Sequence, residues 1–161
     1  MIYTKSNIWQ KIKEFRTQNP SGVLEILGPT ASGKTGFSIE VAKKFTPSEI
    51  ISADSRQIYR AMDISSAKIT QSEMQGIPHH GLDIREPDQF FSVYQFQQYA
   101  FQTINTIQNR KAWPILCGGT MLWLDAVSEN YAFTEDGSKT TEKNPPQWSF
   151  LKIGLHWPRS I

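Results

Sequence analysis

Cysteine is nearly absent: Cys117 is the only one among 161 residues, so the chain can form no internal disulfide and must hold together through its core. No apolar run approaches the roughly 18 residues that a membrane-spanning helix needs. The opening MIYTKSNIWQKIKEF carries polar residues through its apolar positions and lacks the apolar stretch of a secretory leader. These absences lead to the expectation of a cytoplasmic protein with no membrane partner. Charge of one sign is lacking too, with 17 basic against 15 acidic residues and a formal net charge of +2. That excludes the broad basic footprint of a strong nonspecific nucleic-acid binder, while leaving room for a local basic face. There is no internal repeat and no long low-complexity tract. His79 and His80 stand side by side without further ligands at zinc spacing, so they are read as packing or turn-forming residues. Cys117, at the end of an apolar stretch, is read as a small buried hydrophobe, and the tryptophans as packing residues.

What is present has the rhythm of one α/β domain. Ser6 is placed to cap a first helix on which Ile8, Trp9, Ile12 and Phe15 share a face, and NPSG at 19–22 ends it. VLEIL (23–27) reads as a short buried strand, followed by a glycine loop and a helix carrying Phe37, Ile39, Val41, Ala42 and Phe45. EIISAD (49–54) reads as a second strand ending in an acid. From Ser92, the apolar positions Val93, Phe96, Ala100, Ile104 and Ile107 recur at intervals of three and four, which predicts a helix over 92–109. WPILCGGT returns as a strand ending in paired glycines, with a short helix near 120–127, and FLKIGL (150–155) reads as a last strand. Strands alternating with helices imply a mainly parallel sheet covered by helices on both faces, a three-layer α/β domain that the glycine loop makes one of the P-loop type. The stretch 134–149 is polar, contains proline and has no periodicity, so it is read as a linker. The expected organisation is a core over 1–133, the linker over 134–149 and a final core strand over 150–161.

The sharpest local signal is GPTASGKT, residues 28–35, which matches G-x-x-x-x-G-K-[ST] between an expected strand and an expected helix. Gly28, Pro29, Thr30, Ala31, Ser32 and Gly33 would close backbone N–H groups around phosphate oxygens, and the helix N-terminus adds partial positive charge. Lys34 would neutralise the terminal phosphates, and the Thr35 hydroxyl could join a Mg²⁺ shell. The partner acid is less ordinary. A nucleotide hydrolase holds Mg²⁺ with an aspartate after a separate apolar strand, but PILCGGT ends in glycines and a threonine. The acid in position is Asp54, at the end of the second strand, where it could take a proton from an acceptor substrate or cap the segment that follows. On these residues alone, three classes remain open. They are an ATP-using P-loop kinase acting on a hydroxyl, a transferase whose donor is a diphosphate, and a nucleotide-binding scaffold.

Five further segments bear on the choice: ISADSRQIYRAMDISSAKIT (51–70), IPHHGLDI (77–84), FSVYQFQQYA (91–100), PILCGGTMLWLDAV (114–127) and KIGLHWPR (152–159). With GPTASGKT, and in this order, they resemble the tRNA dimethylallyltransferases, also called isopentenyl-diphosphate:tRNA transferases. The resemblance implies transfer of a dimethylallyl group from dimethylallyl diphosphate to N6 of the adenosine 3′ of the anticodon. It implies that the loop from Gly28 to Thr35 cradles the donor diphosphate, with Mg²⁺ as cofactor held through Thr35. It implies that Asp54 is the general base, that Ser55, Arg56 and Gln57 border the tRNA base, and that Thr120 of the G-G-T segment lies near the reacting centre. Lys34, Asp54 and Thr120 are thus the expected catalytic residues, and the tRNA anticodon loop and dimethylallyl diphosphate the expected partners of a monomer.

Family members are longer. Between the G-G-T helix and the G-L-x-x-x-R strand they carry a helical insertion that grips the anticodon arm, and a diphosphate-contacting arginine follows. The resemblance therefore implies a reduced core that keeps the donor site and the base while lacking most of the tRNA grip.

Overall fold

The structure, a computed structural model, describes residues 5–62 and 68–155. Residues 63–67 of the segment 51–70, and Trp157 and Arg159 of the last motif, lie outside that range. The main sheet has five strands in the order β3-β2-β4-β1-β7: β1 (Val23–Leu27), β2 (Ser48–Ser52), β3 (His79–His80), β4 (Trp113–Gly118) and β7 (Phe150–Gly154). All of its pairings are parallel. The period of two along each strand divides the core in two. Leu24, Ile26, Ile50, Ile115, Cys117 and Ile153 face one side, where they meet α1 (Lys5–Gln18) and α2 (Lys34–Lys44). Val23, Ile51 and Leu116 face the other, where they meet α4 (Val93–Asn109) and α5 (Met121–Ser128). The result is the three-layer, mainly parallel α/β architecture read from the sequence.

Helix α4 shows why these residues fold as they do. Ser92 accepts a hydrogen bond from the Gln95 amide while the Gln95 side chain accepts one from the Ser92 amide, a reciprocal capping box that starts the helix where the periodicity starts. Phe96, Ala100, Ile104 and Ile107 then lie fully buried on one face, each large side chain contributing about 1.5–3 kcal/mol by leaving water. Trp123 of α5 stacks on Phe96 with ring centroids 4.4 Å apart, locking the two helices of this layer together. The described tryptophans all pack in this manner: Trp9 on Phe37, Trp148 on Phe101, and Trp113 donating to the Gly22 carbonyl at 2.9 Å.

Three local features differ from expectation. Ser6, expected to precede the first helix, lies within it, Lys5–Gln18, and its side chain is outside the described residues. A short helix α3 (Gln71–Met74) is started by a Thr70–Glu73 capping box. The polar stretch after 133 is not without structure: β5 (Tyr131–Phe133) and β6 (Lys139–Lys143) form an antiparallel hairpin. Its turn closes through Gly137, at φ 84°, with Gly137 N–H donating to the Thr134 carbonyl at 2.8 Å. KTTEK has no apolar alternation to announce a strand. It is held instead by backbone pairing and by Lys139, whose ammonium sits 3.7 Å from the centre of the Tyr131 ring.

Candidate phosphate and acceptor site

The chain order puts the site where the sheet's connections diverge. The connection after β1, through α2, runs toward β2, whereas the connection after adjacent β4, through α5, runs toward β7, and the two helices lie on opposite faces. A crevice opens at the carboxyl ends of strands at such a point. The loop 28–35 enters it from β1, Gly118 to Thr120 from β4, and Asp54 to Gln57 from β2.

The phosphate loop carries two left-handed residues, Ala31 at φ 62° and Gly33 at φ 82°. A non-glycine residue held in that region is a strained position of the kind that gathers at ligand sites. Gly33 caps α2 with no side-chain hydrogen bond, so the helix presents its first N–H groups to the crevice without a competing acceptor. The loop has no room for side chains where it must close: a Cβ on Gly28 would sit 2.5 Å from Ser32 Oγ and 2.8 Å from the Leu155 carbonyl oxygen. Ser32 Oγ is buried with no hydrogen-bond partner among the described residues. Lys34 Nζ donates to the Pro29 carbonyl at 3.0 Å, folding its charge over the loop. Unused amide donors, a buried hydroxyl without a partner and an ammonium over the same loop fit an anionic oxygen cluster, and with it a divalent cation near Thr35.

The other two segments lock together beside this loop. Gly118 is tight against β2, where a Cβ would fall 2.1 Å from the Ala53 carbonyl oxygen. A Cβ on Gly119 would lie 3.2 Å from the Gly28 carbonyl oxygen and 3.7 Å from Lys34 Nζ, so the G-G-T turn abuts the phosphate loop. The Thr120 hydroxyl accepts from the Ser55 amide at 3.0 Å and donates to the Ser55 hydroxyl at 3.3 Å. Asp54 Oδ1 accepts from the Arg56 amide at 2.9 Å, so one oxygen shapes the local turn. Gln57 is oriented by Ser52, whose hydroxyl donates to Gln57 Oε1 at 3.0 Å.

Lys34, Thr35, Asp54, Gln57 and Gly118 line one cavity. Ser55 and Thr120 meet each other beside it, and the Arg56 side chain is exposed. The same cavity takes in three polar side chains to which sequence reasoning gave no site role: Ser38, Ser52 and His79. Only the sheet register could have found His79, which pairs with Ile50 on an edge strand two residues long. His80, next to it, is structural as expected: its Nε2 lies 2.6 Å from Glu49 Oε2, and Arg110 grips the same carboxylate at 2.6 and 3.0 Å. Cys117 also lines the cavity, and burial pushes its thiol up to about 11, against the smaller opposing effects of Ser38 and Lys34. It is held as a neutral thiol, in keeping with a packing role.

The fold and this crevice define a P-loop-type α/β domain. Within that class the chain belongs to the IPP transferase family, whose model matches residues 57–156. It is 52% identical over 121 residues to a tRNA dimethylallyltransferase of Staphylococcus epidermidis, covering 75% of this chain and 36% of that protein. It is 47% identical over 138 residues to one from Staphylococcus aureus, covering 86% and 42%. Among solved structures, tRNA delta(2)-isopentenylpyrophosphate transferase from Staphylococcus epidermidis superposes with a TM-score of 0.66 at 51% identity, over 71% of this chain and 38% of that one. A eukaryotic dimethylallyltransferase acting on tRNA gives a TM-score of 0.67 at 31% identity, over 71% and 28%. The chain thus spans 36–42% of the length of these curated relatives. No helix among the described residues is long and apolar enough to cross a membrane.

Proposed function

We propose that this domain carries the donor site and the general base of a tRNA prenyl transfer, in which dimethylallyl diphosphate alkylates N6 of the adenosine 3′ of the anticodon. The observation that carries the reading is the convergence of the phosphate loop with Asp54 on one cavity, with the Thr120–Ser55 contact at its edge. The names of the relatives favour this over a small ATP-using kinase. Lys34 and the N–H groups of residues 33–35 hold the donor's diphosphate, and their positive field grows in value as the allylic C–O bond breaks and its electron pair leaves with the diphosphate. Mg²⁺, held through Thr35 and the diphosphate, would add charge neutralisation at the leaving group. The adenine amine forms the new N–C bond, and Asp54 takes the proton that the nitrogen sheds. Thr120, tied to Ser55, fixes the acceptor segment 54–57 against the G-G-T turn. Ser55, Arg56 and Gln57 border the base, which must leave its stack to enter, so a single-stranded loop is the fitting substrate. The domain acts in the cytoplasm as a monomer on this reading.

The test is incorporation of labelled dimethylallyl into an anticodon stem-loop by wild type and Asp54→Asn, under single-turnover conditions with saturating donor and Mg²⁺. Asp54→Asn should keep donor affinity and lose about 10²–10⁴ in rate. Near-normal transfer by Asp54→Asn would remove Asp54 from the base role.

A further inference from the structure

We propose that His79 is a second hydrogen-bond acceptor for the exocyclic amine of the acceptor base, working beside Asp54; this rests on the transferase reading above. The two histidines of IPHHGLDI point to opposite faces of the sheet, as neighbours on a strand must. His80 is spent on Glu49, together with Arg110. His79 faces the α2 side and lines the cavity that also holds Lys34, Asp54, Gln57 and Cys117. It forms part of an adjoining cavity with Lys68 and Asp83, which are ion-paired to each other.

The tautomer follows from one contact. His79 Nδ1 lies 2.8 Å from the Ile77 carbonyl oxygen, and a carbonyl can only accept, so Nδ1 carries the hydrogen. In the neutral ring Nε2 is then a lone pair, and it has no partner among the described residues. Burial, assisted by His80, holds the ring below its usual range and outweighs the contrary effect of the Ile77 carbonyl. Ile50, Ile69 and Leu82 supply apolar wall around it.

An amine brings two hydrogens to this site. One leaves to Asp54 as the N–C bond forms and the C–O bond to diphosphate breaks. The other stays on nitrogen throughout, and a donor left unsatisfied in a cavity is costly. A neutral imidazole lone pair serves that second hydrogen without placing a cation next to the developing allylic charge. It also selects against a purine with a carbonyl at position 6, since two lone pairs would then face each other.

The test measures binding of anticodon stem-loops bearing adenosine or guanosine 3′ of the anticodon, by fluorescence anisotropy, to wild type, His79→Phe and His79→Gln. His79→Phe should bind the adenosine loop about tenfold more weakly while changing little toward the guanosine loop. His79→Gln, which can offer Oε1 where Nε2 stood, should recover most of the loss. Affinity for dimethylallyl diphosphate with Mg²⁺ should match wild type in both variants. Equal adenosine-loop affinity in wild type and His79→Phe, or a loss confined to the donor, overturns the assignment. Imaging the ring by ¹⁵N NMR adds a readout independent of RNA: the Nδ1–H tautomer is expected, and an Nε2–H tautomer overturns the proposal. Failure of the transferase reading would look different, as absence of donor binding by the wild type.

Discussion

Glu25 stands in the middle of β1, between Leu116 of β4 and Lys152 of β7, with 0% of its surface exposed. Neither carboxyl oxygen has a hydrogen-bond partner among the described residues. Lys152 Nζ is 3.9 Å from Glu25 Oε1, and the Ser128 hydroxyl donates to the Leu124 carbonyl. Burial pushes the Glu25 carboxyl above its usual range, with Lys152 and the nearby Ser128 opposing and Asp125 and Glu129 reinforcing more weakly. Glu25→Val, close in volume and suited to a strand, removes an unsatisfied buried group costing about 1–3 kcal/mol. Lys152 is not orphaned by the change, because Asp125 at 3.3 Å and Glu129 at 3.8 Å still face it and it reaches solvent. The variant should therefore be more stable by about 1–3 kcal/mol, a rise of about 2–12 °C in Tm for a chain of this size. The pH dependence has a definite sign. A raised folded-state pKa means the native state holds its proton more tightly than the unfolded chain. Wild type is thus penalised at pH above that pKa and recovers as pH falls toward 4.5, the ordinary value. The advantage of Glu25→Val should be largest at neutral pH and shrink on acidification. Thermal melts of both proteins from neutral to acid pH test this. A variant less stable than wild type at neutral pH, or an advantage that grows in acid, would refute the reasoning.

Other outcomes follow from the same geometry. Burial alone raises Glu49, but the hydrogen bonds of Arg110 and His80 outweigh it and hold the carboxyl below its usual range. Its contribution is present above pH 4.5 and is lost as pH falls through the lowered folded value. Glu49→Gln should accordingly cost about 1–3 kcal/mol at neutral pH, with the difference from wild type fading in acid, as read by urea melts. Gly118→Ala places a Cβ 2.1 Å from the Ala53 carbonyl oxygen, so β4 must part from β2 at the site; a loss of about 3 kcal/mol or failure to fold is expected in expression and melting assays. Thr120→Val keeps shape but deprives the Ser55 amide of its acceptor, which should cost about 1–3 kcal/mol and weaken binding of an anticodon stem-loop more than of the donor.

The parts of this molecule visible in the sequence are those governed by local pattern. The buried strands β1, β4 and β7, the capped amphipathic α4 and the glycine loop each announce themselves within one short window. Strand β3 does not, because two residues have no period, and β6 does not, because its stability comes from a turn and a cation over Tyr131 rather than from apolar alternation. The capping box of α3, Thr70 with Glu73, was present to be read but starts a helix of only four residues. Within the site, Lys34, Thr35 and Asp54 were legible as chemistry. The Thr120–Ser55 contact joins residues 65 apart in sequence, and the placement of His79 depends on pairing with Ile50; both arise only when the sheet assembles. Glu25 is the clearest conflict between levels: a carboxylate stands fully buried inside the strand VLEIL, with Asp125 and Ser128 of α5 among the groups that act on it.

On the proposed function, loop 28–35 serves a prenyl diphosphate donor. Titration calorimetry of this chain with dimethylallyl diphosphate and with ATP, each with Mg²⁺, in wild type and Lys34→Ala tests it most directly. Measurable dimethylallyl diphosphate binding, tighter than that of ATP and lost in Lys34→Ala, is expected. Binding of ATP as tight or tighter, or donor binding that survives in Lys34→Ala, would contradict it.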